Sequence, residues 1–164
     1  MTSTADLLDL HGDAAAVCEL AFRSYGGREA FEGSISTVRC FEDNVVLKGR
    51  VAEPGEGGVL VVDGGGSLRV ALLGDMVATL ALEHGWSGLV INGCVRDVAV
   101  LRALDLGIVA LGSNPRPSAK TGVGEAGEPV TFGGVTFRPG DHLAYDADGI
   151  VLIPAALVVR PPAS

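Results

Sequence analysis

The chain has 164 residues, 48% of them apolar and only 5% aromatic, with a formal net charge of −8. A chain of this length buries about two-thirds of its unfolded surface as one domain without disulfide or metal staples, so residues 1–164 read as a single domain with an aliphatic core. So acidic a chain, with no Lys/Arg-rich run, is a poor match to a phosphate backbone and argues against direct nucleic-acid binding, and no apolar run approaches the ~20 residues that span a membrane.

Ser3 or Thr4 can cap a short helix through Leu7, Leu8 and Leu10 that stops near Gly12, and a second helical stretch is expected from Ala14 to about Leu20. The opening MTSTADLLDLHGDAAA lacks the basic start and apolar run of a secretory signal. Gly26-Gly27 and Gly33 bracket a loop, and Ser34 to Phe41 alternates polar and apolar residues as a half-buried strand does. Asp43-Asn44 can cap a helix through Val46, Leu47 and Val51 that stops before Pro54. The three cysteines, Cys18, Cys40 and Cys94, are odd in number and widely spaced, which fits reduced, buried thiols of a cytoplasmic protein rather than a disulfide framework.

From Gly57 the pattern alternates strand and helix. Val59 to Asp63 is a short apolar strand. Gly74 to Glu83 is helical, with Leu73, Met76, Val77 and Leu80 on one face and Gly85 as a stop. Leu89 to Asn92 is the next strand, Arg96 to Leu104 the next helix, and Ile108 to Leu111 a third strand. Such βαβαβ runs imply a parallel sheet with right-handed crossovers. Asn114 to Pro129 reads as a long loop. Four short strands follow at Val130–Phe132, Val135–Phe137, His142–Tyr145 and Ile150–Ile153, separated by glycine- and aspartate-rich turns, and a frayed tail is expected over Arg160–Ser164.

Two clusters carry the chemistry: Gly74-Asp75-Met76-Val77, and Arg96-Asp97 after a gap of twenty residues. Each falls where a strand or turn gives way to a helix, where unpaired N–H groups can hold an anion. Arg96 can clamp a carboxylate in a fork, and Asp97 can bind Mg²⁺ or Mn²⁺ through oxygen with waters filling the other positions. The same residues also suit a plainer role: Asp75 and Asp97 as first-turn acids complementing helix dipoles, and Arg96 as a surface ion-pair partner. Val62-Asp63-Gly64-Gly65-Gly66-Ser67 lacks the G-x-G-x-x-G of a dinucleotide site, because Leu68-Arg69-Val70-Ala71 follows where a helix should open; its glycines instead let the backbone pass close to a substrate pocket. His11, His84 and His142 show no ligand spacing, Cys94 suits a small buried hydrophobe, and Asp141, Asp146 and Asp148 are turn formers. Glu125 lies in a flexible loop that can close over a ligand.

The chain resembles the RraA-like family, which includes 4-hydroxy-4-methyl-2-oxoglutarate aldolases and regulators of ribonuclease E activity. The likeness runs through Tyr25-Gly26-Gly27-Arg28, Thr37 to Asn44, Val61 to Ser67, Ile91 to Asp97, and Phe132 to Phe137 with Gly140-Asp141-His142. The family's aldolase signature, an Asp, twenty residues, then Arg-Asp, is met in full by Asp75 and Arg96-Asp97. The resemblance implies a three-layer β/β/α sandwich of the swivelling-domain type, with a parallel βαβ core and antiparallel C-terminal strands, assembled as a homotrimer with sites at subunit interfaces. It implies that Asp75 and Arg96 are catalytic, that Gly74, Asp75, Met76, Val77 and Arg96 bind a small 2-keto acid, and that Asp97 supports a divalent cation, Mg²⁺ or Mn²⁺. The activity implied is metal-dependent cleavage of 2-keto acids to pyruvate, as aldolase and oxaloacetate decarboxylase. Longer aldolases of the family carry an acidic C-terminal extension; here no Asp or Glu follows Asp148, so a proton relay is expected to use water, Asp75 or an earlier acid. The competing expectation is a regulatory protein that binds and inhibits ribonuclease E through its acidity. A quinone methyltransferase, a label attached to similar sequences, is set aside because the glycine loop shows no S-adenosylmethionine pocket.

Overall fold

A strand covered on both faces has to be apolar along its length. In the computed structural model, which describes residues 1–159 and so leaves the tail expected at Arg160–Ser164 outside the described residues, that condition picks out the centre of the sheet. β4 (Val59–Asp63) and β6 (Gly88–Val95) are buried almost throughout. They lie side by side between β3 (Phe31–Arg39) and β7 (Gly107–Ser113), and all four strands run parallel. The connections between them carry α2 (Val45–Val51), α3 (Asp75–Glu83) and α4 (Val98–Leu101). Leu47, Val51, Ala78, Ala81 and Leu101 pack from these helices onto Val38, Leu60, Leu89 and Ile91 of the sheet.

The other face of the same strands presents Ile35, Val59, Val61, Val90 and Val109. What covers it comes from the last third of the chain: the hairpin of β9 (Val130–Phe132) and β10 (Val135–Phe137), and the antiparallel pair β11 (His142–Asp146) and β12 (Gly149–Ile153). Phe137 is fully buried and stacks on Phe132 with ring centroids 4.4 Å apart. β3 joins the two layers by changing partner along its length: Phe31–Ser34 pair antiparallel with β11, and Ile35–Arg39 pair parallel with β4. β1 (Ala16–Val17) extends the antiparallel edge beside β12, and α1 (Thr4–His11) lies outside it with Leu7 against Ala144, Val151 and Ile153. The three-layer sandwich that the resemblance implies, a parallel core with antiparallel C-terminal strands, is therefore present.

Local differences have local causes. The start and stop of α1 fall as expected: Ser3 Oγ accepts from the Asp6 amide at 3.1 Å, and Gly12 turns the chain with φ of +53°. The helix expected over Ala14–Leu20 is absent, because Ala16 and Val17 find ladder partners in Leu152 and Val151 and the Cys18 amide donates to Ile150 O. Gly33 is not in a loop but inside β3, where a Cβ would run into the backbone of Gly57 and Gly58. β3 also ends at Arg39 rather than Phe41, ahead of Glu42 at φ of +55°. Leu73 belongs to a short strand, β5 (Ala71–Leu73), and the buried face of α3 is Val77, Ala78 and Ala81, with Met76 turned out at 78% exposure. The helix expected from Arg96 to Leu104 shrinks to the single turn of α4, since Asp97 sits in the left-handed region at φ of +58° and cannot be helical. The long loop after Asn114 holds one two-residue strand, β8 (Glu125–Ala126), on β3, and β2 (Arg23–Ser24) borders β7.

Candidate functional site

The two sequence clusters meet because β5 pairs in parallel with β6. Ala71 faces Cys94 and Leu73 faces Val95, and the Arg96 amide donates to Leu73 O at 2.9 Å. Both strands end at the same level, so Gly74-Asp75 leaves one beside Arg96-Asp97 leaving the other. The approach is close enough that any larger residue would displace a side chain: a Cβ on Gly74 would stand 2.7 Å from Asp97 Oδ2 and 3.3 Å from Arg96 Cγ.

Asp97 occupies the capping position of α4 but makes no side-chain bond to that helix. Its Oδ2 instead accepts from the Asp75 amide at 3.0 Å, which satisfies one of the orphan N–H groups at the start of α3. The Asp75 carboxylate accepts from the next amide, Met76 N, at 2.8 Å. The amides of Asp75 and Met76, in the cluster expected to hold an anion, are therefore engaged within the chain. Asp97 Oδ1 carries no hydrogen bond among the described residues.

Beside this junction opens a cavity of about 600 Å³, walled by Gly74, Asp75, Met76, Val77 and Arg96 on one side. Asp97 does not border it; with Arg96, Ser113 and Asn114 it lines an adjoining hollow of about 270 Å³. Arg96 thus stands between the two spaces, and both Arg96 and Asp97 are exposed in the single chain. Among the described residues no three His, Cys, Asp or Glu side chains gather as a metal cage. What is present suits a hard cation held by one carboxylate oxygen with water and ligand oxygens around it, which is a common mode for Mg²⁺.

The remaining wall of the larger cavity was not read from the sequence as a site. It holds Asn44, Lys48, Ser118 and Lys120. Lys120 Nζ donates to Asn44 Oδ1 at 2.7 Å and approaches Ser118 Oγ at 3.3 Å, while Asn44 Nδ2 donates to Leu72 O at 3.1 Å and fixes which way the amide faces. One signal pointed here: Lys48 and Lys120 are the chain's only lysines among 12 basic residues. Asp43, placed in the sequence as a helix cap, does accept from the Val45 amide at 3.1 Å, but it also takes the Thr121 hydroxyl at 2.6 Å and the amides of Thr121 and Gly122. These donors, the Thr121 hydroxyl foremost, hold its carboxyl down at about 2.

Other candidates fall away from the cavity. The glycine loop is filled by protein: Cβ atoms on Gly64 and Gly65 would meet Leu72, Asn92 and Phe41, and none of its glycines borders either space. Glu125 lies in β8 with its carboxylate 3.8 Å from Arg39. Cys94 is 1% exposed and burial pushes its thiol up, as befits a small core residue. His84 meets Leu80 O at its helix end, and His142 lies 3.2 Å from Glu32.

Residues 4–152 match the RraA-like family, described as Aldolase/RraA. Among solved structures, one from Geobacillus kaustophilus HTA426 named as an S-adenosylmethionine: 2-dimethylmenaquinone methyltransferase is 46% identical, with a TM-score of 0.94 over 98% of this chain and 99% of that one. The RNA-processing inhibitor RraA from Thermus thermophilis is 44% identical, with a TM-score of 0.92 over 99% of this chain and 96% of the other. Streptomyces coelicolor RraAS2, named as an unusual member of the RNase ES inhibitor RraA protein family, is 27% identical, with a TM-score of 0.78 over 94% and 81% of the two chains.

Proposed function

The chain belongs to the RraA-like family, and from that premise we propose that it is a divalent-metal-dependent carbon–carbon lyase that releases pyruvate from 2-keto acids, oxaloacetate and 4-hydroxy-4-methyl-2-oxoglutarate among them. The observation that carries the reading is the junction at Gly74, where a guanidinium bordering both hollows stands beside a carboxylate oriented in the smaller one.

Arg96 grips the pyruvyl carboxylate through its planar fork. Asp97, turned by the Asp75 amide, offers its free oxygen as the protein ligand to the cation. When bound, Mg²⁺ or Mn²⁺ supplies Lewis-acid stabilisation of the charge that develops on the keto oxygen as C3–C4 breaks, worth several kcal/mol. Lys48 and Lys120 give the cavity wall two ammonium groups against the single carboxylate of Asp75, a setting for the substrate's second carboxylate. Decarboxylation needs no base. Aldol cleavage needs one for the 4-hydroxyl, and Asp75 is the acid on this wall, acting directly or through water. In the homotrimer that the resemblance implies, a neighbour would close the site over the exposed Arg96, Asp97 and apolar Met76, and the free, buried cysteines support a cytoplasmic setting.

The test is pyruvate release from oxaloacetate by purified protein with and without Mg²⁺. A chelator abolishes it, and Arg96→Ala or Asp97→Ala lowers kcat/KM at least about a hundredfold. Robust activity in both variants removes the proposal.

A second reading is favoured by the name of the Thermus relative, an RNA-processing inhibitor. A chain of net charge −8 can dock on a basic segment of a ribonuclease of the E type. Salt-sensitive binding to such a ribonuclease that persists in Asp97→Ala, in a protein without lyase activity, decides for it.

A further inference from the structure

Asp43 takes no part in the chemistry above, yet it is 2% exposed and charged. A carboxylate out of water needs either a cation or a full set of donors. No Lys, Arg or His lies within salt-bridge reach of it among the described residues. Its donors are Val45 N at the start of α2 and, from another part of the chain, Thr121 N, Thr121 Oγ1 and Gly122 N. The backbone on either side is stitched in the same way: the Ala119 amide donates to Glu42 O at 2.8 Å, and the Asn44 amide to Ala119 O at 3.4 Å.

Residue 120 is therefore held from both flanks, by Ala119 on Glu42 and Asn44 and by Thr121 and Gly122 on Asp43. Its side chain reaches back over the same anchor, onto Asn44 Oδ1. Apart from Ser118, residues 117–124 are exposed, and Gly122 and Gly124 sit at φ of +88° and +155°. Such a segment has little apolar burial of its own to hold it in place.

We infer that Asp43 is a positioning residue that pins segment 118–122 to the start of α2 and thereby holds Lys120 at the cavity wall, where its ammonium selects substrates with a second carboxylate. The inference deepens the keto-acid reading of the cavity and rests on it for the nature of the ligand.

Amide hydrogen exchange and calorimetric titration of the full chain with Mg²⁺ test it, with 2-oxoglutarate and pyruvate as probes. In Asp43→Asn the amides of Thr121 and Gly122 exchange at least about tenfold faster, while the sheet amides remain the slowest in the chain. The Kd for 2-oxoglutarate rises about tenfold and that for pyruvate stays within about twofold. Lys120→Met shows the same selective loss without the faster exchange, and the double variant binds no worse than Lys120→Met alone. Thr121→Val, which removes one donor, moves both readouts the same way by less, and stands in should Asp43→Asn not fold. Unchanged exchange, equal loss for both acids, or additive losses in the double variant overturn the inference. A wild type that binds neither acid overturns the keto-acid reading and the selectivity claim with it, whereas the exchange data still decide whether Asp43 holds the segment.

Discussion

Asp97 caps a helix that is not its own: its Oδ2 lies 3.0 Å from the amide of Asp75, the first residue of α3, although in the chain it directly precedes α4. The bond fixes the carboxylate beside Arg96 and aims one oxygen at the helix start, leaving the other for a ligand. Gly74 leaves room for it: a Cβ there would stand 2.7 Å from that Oδ2.

Gly74→Ala is expected to push Asp97 off the Asp75 amide. Its backbone, at φ of −130°, is open to alanine, so the damage falls on the 2.7 Å contact and not on the fold. A misplacement of about 1 Å in a site costs about a hundredfold, which sets the expected fall in kcat/KM for oxaloacetate. Thermal melting checks that Tm shifts by no more than about 5 °C.

Arg96→Lys keeps the charge and loses the fork. KM for oxaloacetate should rise about tenfold, as steady-state kinetics will report, because one bidentate contact is replaced by a point charge. An unchanged KM means that the guanidinium does not hold the carboxylate.

Lysine-selective modification offers a cleaner probe here than in most proteins, since the chain's two lysines both face one cavity. Reductive methylation retains charge and adds bulk, while acetylation removes the charge. Acetylation should lower kcat/KM at least about tenfold, and prior saturation with 2-oxoglutarate should slow labelling of Lys120, read by mass spectrometry of the digested chain.

Acid should undo the Asp43 anchor in a defined range. Its carboxyl titrates at about 2 in the folded chain, below the ~3.9 of an unfolded aspartate. The folded state therefore binds the proton less readily than the unfolded one. The stabilisation is fully present above about pH 4 and is lost as pH falls through about 2. Urea midpoints of wild type and Asp43→Asn, compared over that range, should converge toward the acid end; a constant gap means that Asp43 does not contribute in this way.

Burial also sets the cysteine chemistry. It pushes Cys40 up to about 12, with the nearby carboxylates of Asp43 and Asp63 adding to the shift, and raises Cys18 and Cys94 as well. At about pH 8 a disulfide reagent should label the native thiols at least about a hundredfold more slowly than the unfolded ones. Fast native labelling of Cys94 would place a reactive thiol two residues from Arg96.

Much of this molecule was written along the chain. Val59–Val62 and Leu89–Ile91 declare strands buried on both faces because every residue there is apolar, and the turns at Gly133-Gly134 and Asp146–Gly149 separate strands that do pair. The catalytic candidates Asp75, Arg96 and Asp97 are named through the family resemblance, since residue type and spacing alone suit first-turn helix acids equally well. Other features needed the third dimension. Nothing in Arg96–Leu104 announces that Asp97 leaves helical space to serve another helix, since that choice is made by a partner 22 residues away. Ala14–Leu20 has a helical pattern, and an open ladder edge on β12 overrides it. The cationic wall is the clearest case: Lys48 and Lys120 are 72 positions apart and become neighbours of one cavity only when Asp43 ties the loop to α2. Sequence fixes which segments can be buried, a local property of apolar period and turn chemistry. Which polar groups face one another depends on long-range pairing, and the structure alone decides that.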